Sequence, residues 1–412
     1  MQERELIPQL FKTEYRKIIS VLCKLFGIVN IAIAEDIAND TFLLAAETWG
    51  LKGIPEDPTA WLYTVAKNKT KDHFKRKKIF TQKVSVALKD TQTPSYELKL
   101  DFSEENINDS QLKMLFAVCN PVNSNESQIA LALRILCGFG IEEIANALLS
   151  SKDTINKRLY RAKSTLRENN IDLSFPSSAV LEIRLDNVLS ILYLLFNEGY
   201  YSSTASNTIS KELSLEAMRL LYILTENEKT NVPRANALMA LFCFHSSRFE
   251  ARFDQSGQQV IYEEQAKSKW DYELIEKGEY YLNISAKGKP ISKYHLEAGI
   301  AFWHTRIKVA EKNKWNNILQ LYNRLLQIEY SPIAALNRTY ALAMAESKEM
   351  ALKEALKIDL KQNHLYQSLL ADLYSGIDPA NHIYHLELAI KLAKSDNDKL
   401  FLKRKLEKAR GW

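Results

Sequence analysis

The chain reads as an all-α protein, and three observations predict it. Glycine and proline are scarce, at 12 and 10 in 412 residues. Most long segments carry apolar residues at i, i+3, i+4 and i+7, the period of amphipathic helices, and strand-like alternation is rare.

The first helical block covers residues 6–80 and closes on the basic run Lys75, Arg76, Lys77, Lys78. Within it, AEDIANDTFLLAAETW places Ala38, Phe42, Ala45 and Trp49 on one inward stripe. Asp36, Asn39, Asp40, Leu43 and Glu47 take the other side. That acidic face with a Leu at its centre suits either docking onto a basic partner helix or plain solvation. A Pro-bounded loop follows at 53–58, with Thr59 the expected N-cap of AWLYTVAKNKTKDHFKRKK. Between Lys67 and Lys83 stand eight Lys/Arg against one acid, Asp72, interleaved with Trp61, Tyr63, His73 and Phe74 nearby. Cations track a phosphate backbone and aromatic faces stack on unpaired bases, so this segment suits a single nucleic-acid strand, although Trp61 is equally suited to packing.

From Thr81 to about Asp109 the periodicity fades into a polar linker. A second block occupies 110–170. Its apolar helix ends at Gly138–Gly140, GIEEIANALL forms a short helix, Ser150-Ser151 makes a turn, and a basic helix begins near Asp153. This order suits a helix-turn-helix in which Ile144, Ala145 and Leu148 pack on Ile155 and Leu159. Thr154, Asn156, Lys157, Tyr160, Arg161, Lys163 and Arg167 then face outward. Lys and Arg suit phosphates or guanine edges, and Asn suits adenine.

The boundary SFPSS at 174–178 precedes a long third region rich in Leu, Ala, Tyr and Trp at helical spacing, least regular at 251–294. Trp315 to Leu326, Ser331-Pro332 and the helix Ala334–Ala345 look like one unit of a tetratricopeptide array, with 364–376 and 382–394 a second; ordinary helical hairpins account for them equally well.

Composition narrows the function. A net charge of +5 says little in a chain this long, so the clustering of Lys and Arg carries the information. Cys23, Cys119, Cys137 and Cys243 are widely spaced with no ligand pattern, against a zinc site or disulfide scaffold and consistent with a reducing cytoplasm. Neither a signal peptide nor a membrane-spanning apolar run is expected. His245, His295 and His304 share the third region with Glu250 and Glu297, but no nucleophile motif, phosphate loop or metal spacing accompanies them, so no enzyme and no cofactor is expected.

The segments AEDIANDTFLLAAETW and PEDPTAWLYTVAKNKTKDHFKRKK resemble region 2 of extracytoplasmic-function sigma factors, and SQIALALRILCGFGIEEIANALLSSKDTINKRLYRAK resembles region 4. LSILYLLFNEGYYSS, RFDQSGQQVIYEEQAKSKWD, YHLEAGIAFWHT and SPIAALNRTYALA resemble the C-terminal extension of a subgroup carrying a tetratricopeptide-like domain. The resemblance implies region 2 at 1–84, a linker at 85–109, region 4 at 110–172 and a helical regulatory domain at 179–412. The implied partners are core RNA polymerase, through its β′ clamp and β flap, and promoter DNA. Asp36, Asn39, Asp40, Leu43 and Glu47 would dock on the β′ coiled coil. Asn68 matches the position near which relatives capture a flipped base of the -10 element, with Trp61, Lys67, Lys71, Lys75 and Arg76 along that strand's path. Thr154, Asn156, Lys157, Arg158, Tyr160 and Arg161 fall in the helix that reads the -35 element. The chain departs from the subgroup at Asn39-Asp40, where Gln-Glu is frequent, and at EEQAKSKWD, where an Asp-Gln-Asp-Arg run is frequent. Without the resemblance, a helix-turn-helix regulator with a helical sensor and no polymerase remains the other reading. Only the acidic helix followed by the basic, aromatic one separates the two.

Overall fold

The structure is a computed structural model that describes residues 3–85, 100–200, 207–252, 254, 260, 262–288, 290–306 and 310–411. Among the described residues every regular element is helical. They form two compact units, Met1–Leu195 and Phe196–Trp412. Most of the polar stretch read as a linker lies outside the described residues, but its last part does not: a helix already begins at Glu104.

The first unit starts with α1 (Glu3–Phe26), α2 (Ile31–Lys52) and α3 (Pro58–Ser85). Tyr15, Ile18, Ile19 and Leu22 of α1 are completely buried. Phe11 stacks on Tyr15 at 4.4 Å and meets Phe42 of α2 edge-on at 5.0 Å, so the stripe that includes Ala38, Phe42, Ala45 and Trp49 lies inside, as its spacing predicts. α2 stops at Gly53, whose φ of +83° favours glycine and whose N–H donates to the Trp49 carbonyl at 3.0 Å. The cap of α3 differs from the expected Thr59. Asp57 Oδ1 accepts from Ala60 N at 2.9 Å and Pro58 takes the first helical position, where its missing N–H costs nothing.

α4 (Glu104–Val118), α5 (Asn125–Leu131), α6 (Ile141–Ala147) and α7 (Lys152–Glu168) complete this unit with the first part of α8 (Ser178–Tyr200). Ile144, Ala145, Ile155 and Leu159 are buried where α6 and α7 pack, and Leu148 is half-buried. Asn187 of α8 donates to the Cys119 carbonyl and to Gln128 Oε1, both at 2.9 Å, satisfying two buried acceptors.

The second unit holds α9 (Asn207–Thr225), α10 (Pro233–Ser246), α11 (Tyr272–Ser285), α12 (Lys293–Thr305), α13 (Glu311–Ile328), α14 (Pro332–Ala345), α15 (Lys348–Ala355), α16 (His364–Tyr374), α17 (Pro379–Leu392) and α18 (Asp396–Ala409). Sequence neighbours pack as antiparallel pairs, α10 on α11, α13 on α14 and α16 on α17 among them. Gly278 permits the first pair: a Cβ there would sit 2.6 Å from the completely buried ring of Phe244. Trp315, Ile318, Leu336, Leu342 and Leu369 belong to one apolar core spanning α12 to α16.

Candidate functional site

Two side-chain arrays stand out on the first unit. On α2, burial of Ala38, Phe42, Ala45 and Trp49 turns Asp36, Asn39, Asp40, Leu43 and Glu47 to solvent on one face. Leu43 is 58% exposed, a large apolar side chain amid carboxylates. Among the described residues the one ion pair on this face joins Asp40 to Lys69 of α3 at 3.5 Å, and it is too exposed to hold either group strongly.

α3 continues the array. Leu62 and Ala66 are completely buried, which leaves Asn68, Lys71, Lys75 and Arg76 exposed. Lys67 is half-buried, its ammonium 5.6 Å from the centre of the Phe102 ring. The interleaved aromatics are mostly committed to packing. Tyr63 stacks on Phe102 at 4.5 Å and donates to Glu14; burial and that carboxylate push its phenol pKa up. Phe74 stacks on Phe26 at 5.2 Å, with His73 edge-on to the same ring at 5.6 Å. Trp61 is half-buried, edge-on to Trp49 at 5.3 Å, so one part packs and another faces out.

The second array lies on α7. Thr154, Asn156, Lys157, Tyr160 and Arg161 are exposed, Tyr160 by 76%, and Arg158 is half-buried. The turn before it places Leu149 at a φ of +48° and closes with Ser150 N donating to the Ala145 carbonyl at 2.8 Å. Ser151 Oγ caps the helix by accepting from Thr154 N at 3.1 Å, and it also meets Thr154 Oγ1 at 2.8 Å. The Thr154 hydroxyl is therefore engaged by the cap.

One residue expected to face outward does not, whereas Arg167 is exposed as expected. Lys163 turns inward to Glu35 of α2, and Arg167 donates to the Val29 carbonyl at 3.4 Å. Glu35, which the sequence reading missed, is 8% exposed and also lies 3.5 Å from Arg134 Nε. The stripe could have shown it: Glu35 stands one turn before Ala38 on the buried face, where a carboxylate requires partners.

Among the described residues no group of His, Cys, Asp and Glu is placed to hold a metal ion, and no helix is long and apolar enough to cross a membrane. All four cysteines are buried thiols outside any disulfide. Burial pushes the pKa of Cys119 and Cys243 up to about 12, which keeps both protonated and unreactive near neutrality.

Residues 10–79, which hold the α2 and α3 arrays, match Sigma-70 region 2, and residues 184–286 match a family of unknown function, DUF6596. The chain is 30% identical over 382 residues to the uncharacterized protein R00370 of Rhizobium meliloti, covering 92% of this chain and 90% of that one. It is 29% identical over 138 residues to the ECF RNA polymerase sigma factor BldN of Streptomyces coelicolor, 33% of this chain and 50% of the relative. It is 27% identical over 175 residues to the RNA polymerase sigma factor YlaC of Bacillus subtilis, 41% of this chain and 94% of the relative. No solved structure matches the chain. The all-α bundle and these matches define a sigma factor, a class of transcription-initiation protein. The chain belongs to the extracytoplasmic-function group of the sigma-70 family, with a helical C-terminal extension.

Proposed function

We propose that this sigma factor directs core RNA polymerase to specific promoters and helps open the DNA at initiation. The carrying observation is the exposed α2 face, Asp36, Asn39, Asp40, Leu43 and Glu47, standing beside the exposed edge of α3 from Asn68 to Arg76. The α2 face docks on the β′ clamp: an exposed Leu ringed by acids supplies an apolar anchor plus charge that steers a basic helix into register. Along α3, Lys67, Lys71, Lys75 and Arg76 carry the non-template strand of the -10 element, Asn68 lies at the flipped base, and the outer part of Trp61 flanks it. Exposure of Thr154, Asn156, Lys157, Tyr160 and Arg161 after a tight turn supports a helix-turn-helix that reads the -35 element in a major groove, with Arg158 at its edge and the β flap as the region 4 contact. In this reading the functional divisions are region 2 at 1–84, a linker at 85–109, region 4 at 110–172 and a tetratricopeptide-like regulatory domain at 179–412. The helical hairpins α13–α14 and α16–α17 support the last. The protein works in the cytoplasm, where polymerase is, and needs no cofactor.

The test is run-off transcription with core polymerase on a promoter library, comparing wild type with a D36K/D40K variant. Specific transcripts are expected with the wild type and are lost on charge reversal, while the fold is kept because both side chains are exposed. Duplex binding without initiation by the wild type would instead make the protein a regulator that acts without polymerase. Deletion of 179–412 tests the extension: unchanged promoter output removes its regulatory role.

A further inference from the structure

The second unit buries cations. Arg248 is 9% exposed, Arg252 7% and Lys314 3%. Arg248 and Lys314 both approach the Tyr262 ring. The Arg248 guanidinium lies 5.4 Å from the centre of that ring and Lys314 Nζ 4.8 Å from it. Lys314 also donates to Tyr262 Oη at 3.1 Å, and the His304 ring stands edge-on at 5.1 Å. Arg252 lies 3.8 Å over the Tyr200 ring. For Arg248 and Lys314, the only carboxylate within ion-pair range among the described residues is Glu311, 3.9 Å from Lys314 and itself 73% exposed.

Cation–π contact does not complete this cluster. Arg248 Nη2 donates to Tyr200 Oη at 3.4 Å, but among the described residues Arg248 Nε, Trp270 Nε1 and His304 Nδ1 are sealed from solvent with no hydrogen-bond partner, and the Trp270 ring is 6.1 Å from Tyr262. A guanidinium and an indole N–H can only donate, so two of these groups lack an acceptor specifically. The positive field is strong enough to act on its neighbours: burial, then Arg248 and Lys314, push the His304 pKa down to about 3. Burying charge without a counter-ion is costly, and neutral side chains of similar size would pack here at less expense. An arrangement of inward cations and idle donors is therefore suited to an acceptor-rich anion. A tetrahedral oxyanion suits these donors best, since its several oxygens accept from guanidinium, ammonium and indole groups alike.

We propose that Arg248, Lys314, Trp270 and His304 form an oxyanion site in the second compact unit that takes the phosphoryl group of a small ligand. Binding here is independent of the promoter reading, because the site stands whether or not the chain initiates transcription. Inorganic phosphate is the probe. Equilibrium dialysis of the full chain against labelled phosphate at fixed ionic strength should retain one phosphate per chain. Thermal unfolding of this unit should rise by about 3 °C at ten times the dissociation constant, relative to chloride. K314M and R248Q each remove one charge at similar volume, and each should weaken retention by about tenfold or more with the helical circular dichroism unchanged. The proposal is overturned if the wild type retains no phosphate, if the variants retain it equally, or if citrate raises the unfolding temperature and phosphate does not. Should one variant fail to fold, the wild-type dialysis and the other variant still decide.

Discussion

The two compact units treat charge in opposite ways. In the first, Asp36, Asp40, Glu47, Lys71, Lys75, Arg76, Lys157 and Arg161 stand exposed on helix faces. Its buried carboxylates are paired: Glu14 with Lys17 at 2.9 Å and with the Tyr63 hydroxyl, Glu35 with Arg134 and Lys163. In the second, Arg248 and Lys314 are buried against aromatic rings with little anionic compensation. Charge on a surface is available to partners of any size, a helix or a nucleic-acid strand included. Charge in an interior can be answered only by what fits there. Within the first unit the same contrast separates function from stability: its exposed charges can change with little effect on the fold, whereas its paired interior ones, Glu35 above all, cannot.

The largest effect should come from Glu35. Replacing it with Ala leaves Arg134 and Lys163, 17% and 20% exposed, without their shared carboxylate. Breaking such a buried pair from one side costs about 3 kcal/mol. Pulse proteolysis in urea, reading peptides of α2 and α7, would measure it. A loss within about 0.5 kcal/mol, the range of a surface change, would mean that the first unit's buried charges are no better integrated than its exposed ones.

Acid should act on the second unit next. Its histidines His245 and His304 are held below the ordinary imidazole pKa, each first by burial and then by cations, Arg248 and Arg252 for His245, Arg248 and Lys314 for His304. Their contribution to stability is therefore complete above the unfolded pKa of about 6.5 and is lost as the pH falls below it, because the unfolded chain takes up protons that the folded chain refuses. His295 and His385 shift in the same direction through burial. Between pH 7.5 and 5.5 the first pair should lose about 2 kcal/mol, allowing for the partial exposure of His304. Urea midpoints for peptides of α10 and α12 should fall accordingly. A midpoint that is flat over this interval would place protonated imidazoles inside and end the contrast between the units.

Much of this was legible in the sequence where the signal is local. The apolar period gave α2 its buried stripe and hence its outward face, and Ile144, Ala145, Ile155 and Leu159 declared the contact between α6 and α7. Caps were harder, because Asp57, Pro58 and Thr59 are all capable of opening a helix. The sequence does not say which side chain reaches the free N–H groups, and Asp57 does. The pairings that define the interior were hidden for a different reason. Glu35 sits beside Asp36 in an acidic run, and its partner Lys163 lies 128 residues away on a helix whose period allowed an outward reading. Lys314 and Tyr262 likewise meet across 52 residues. A helical period tells which face of one helix is buried; it carries no information on which charge of another helix comes to meet it.

The smallest effect concerns a cap in each unit. Ser151 opens α7 with a 3.1 Å bond from Thr154 N, while Ser331 opens α14 with a longer one, 3.5 Å from Ala334 N. Pro332 follows Ser331 and already presets the first turn, so α14 depends less on its cap. S151A should therefore cost about 1 kcal/mol and S331A about 0.5 kcal/mol or less. Hydrogen exchange at Ile155, whose N–H donates to the Ser151 carbonyl, and at Ala335, whose N–H donates to that of Ser331, reads both losses in the same way. S151A also releases the Thr154 hydroxyl from its 2.8 Å contact at the start of the exposed array, so promoter selection should shift along with the local stability. S331A should leave promoter selection unchanged. If the two substitutions loosen their helices equally, bond length and the following proline do not grade these caps, and the first turn of α7 is no more dependent on its serine than that of α14.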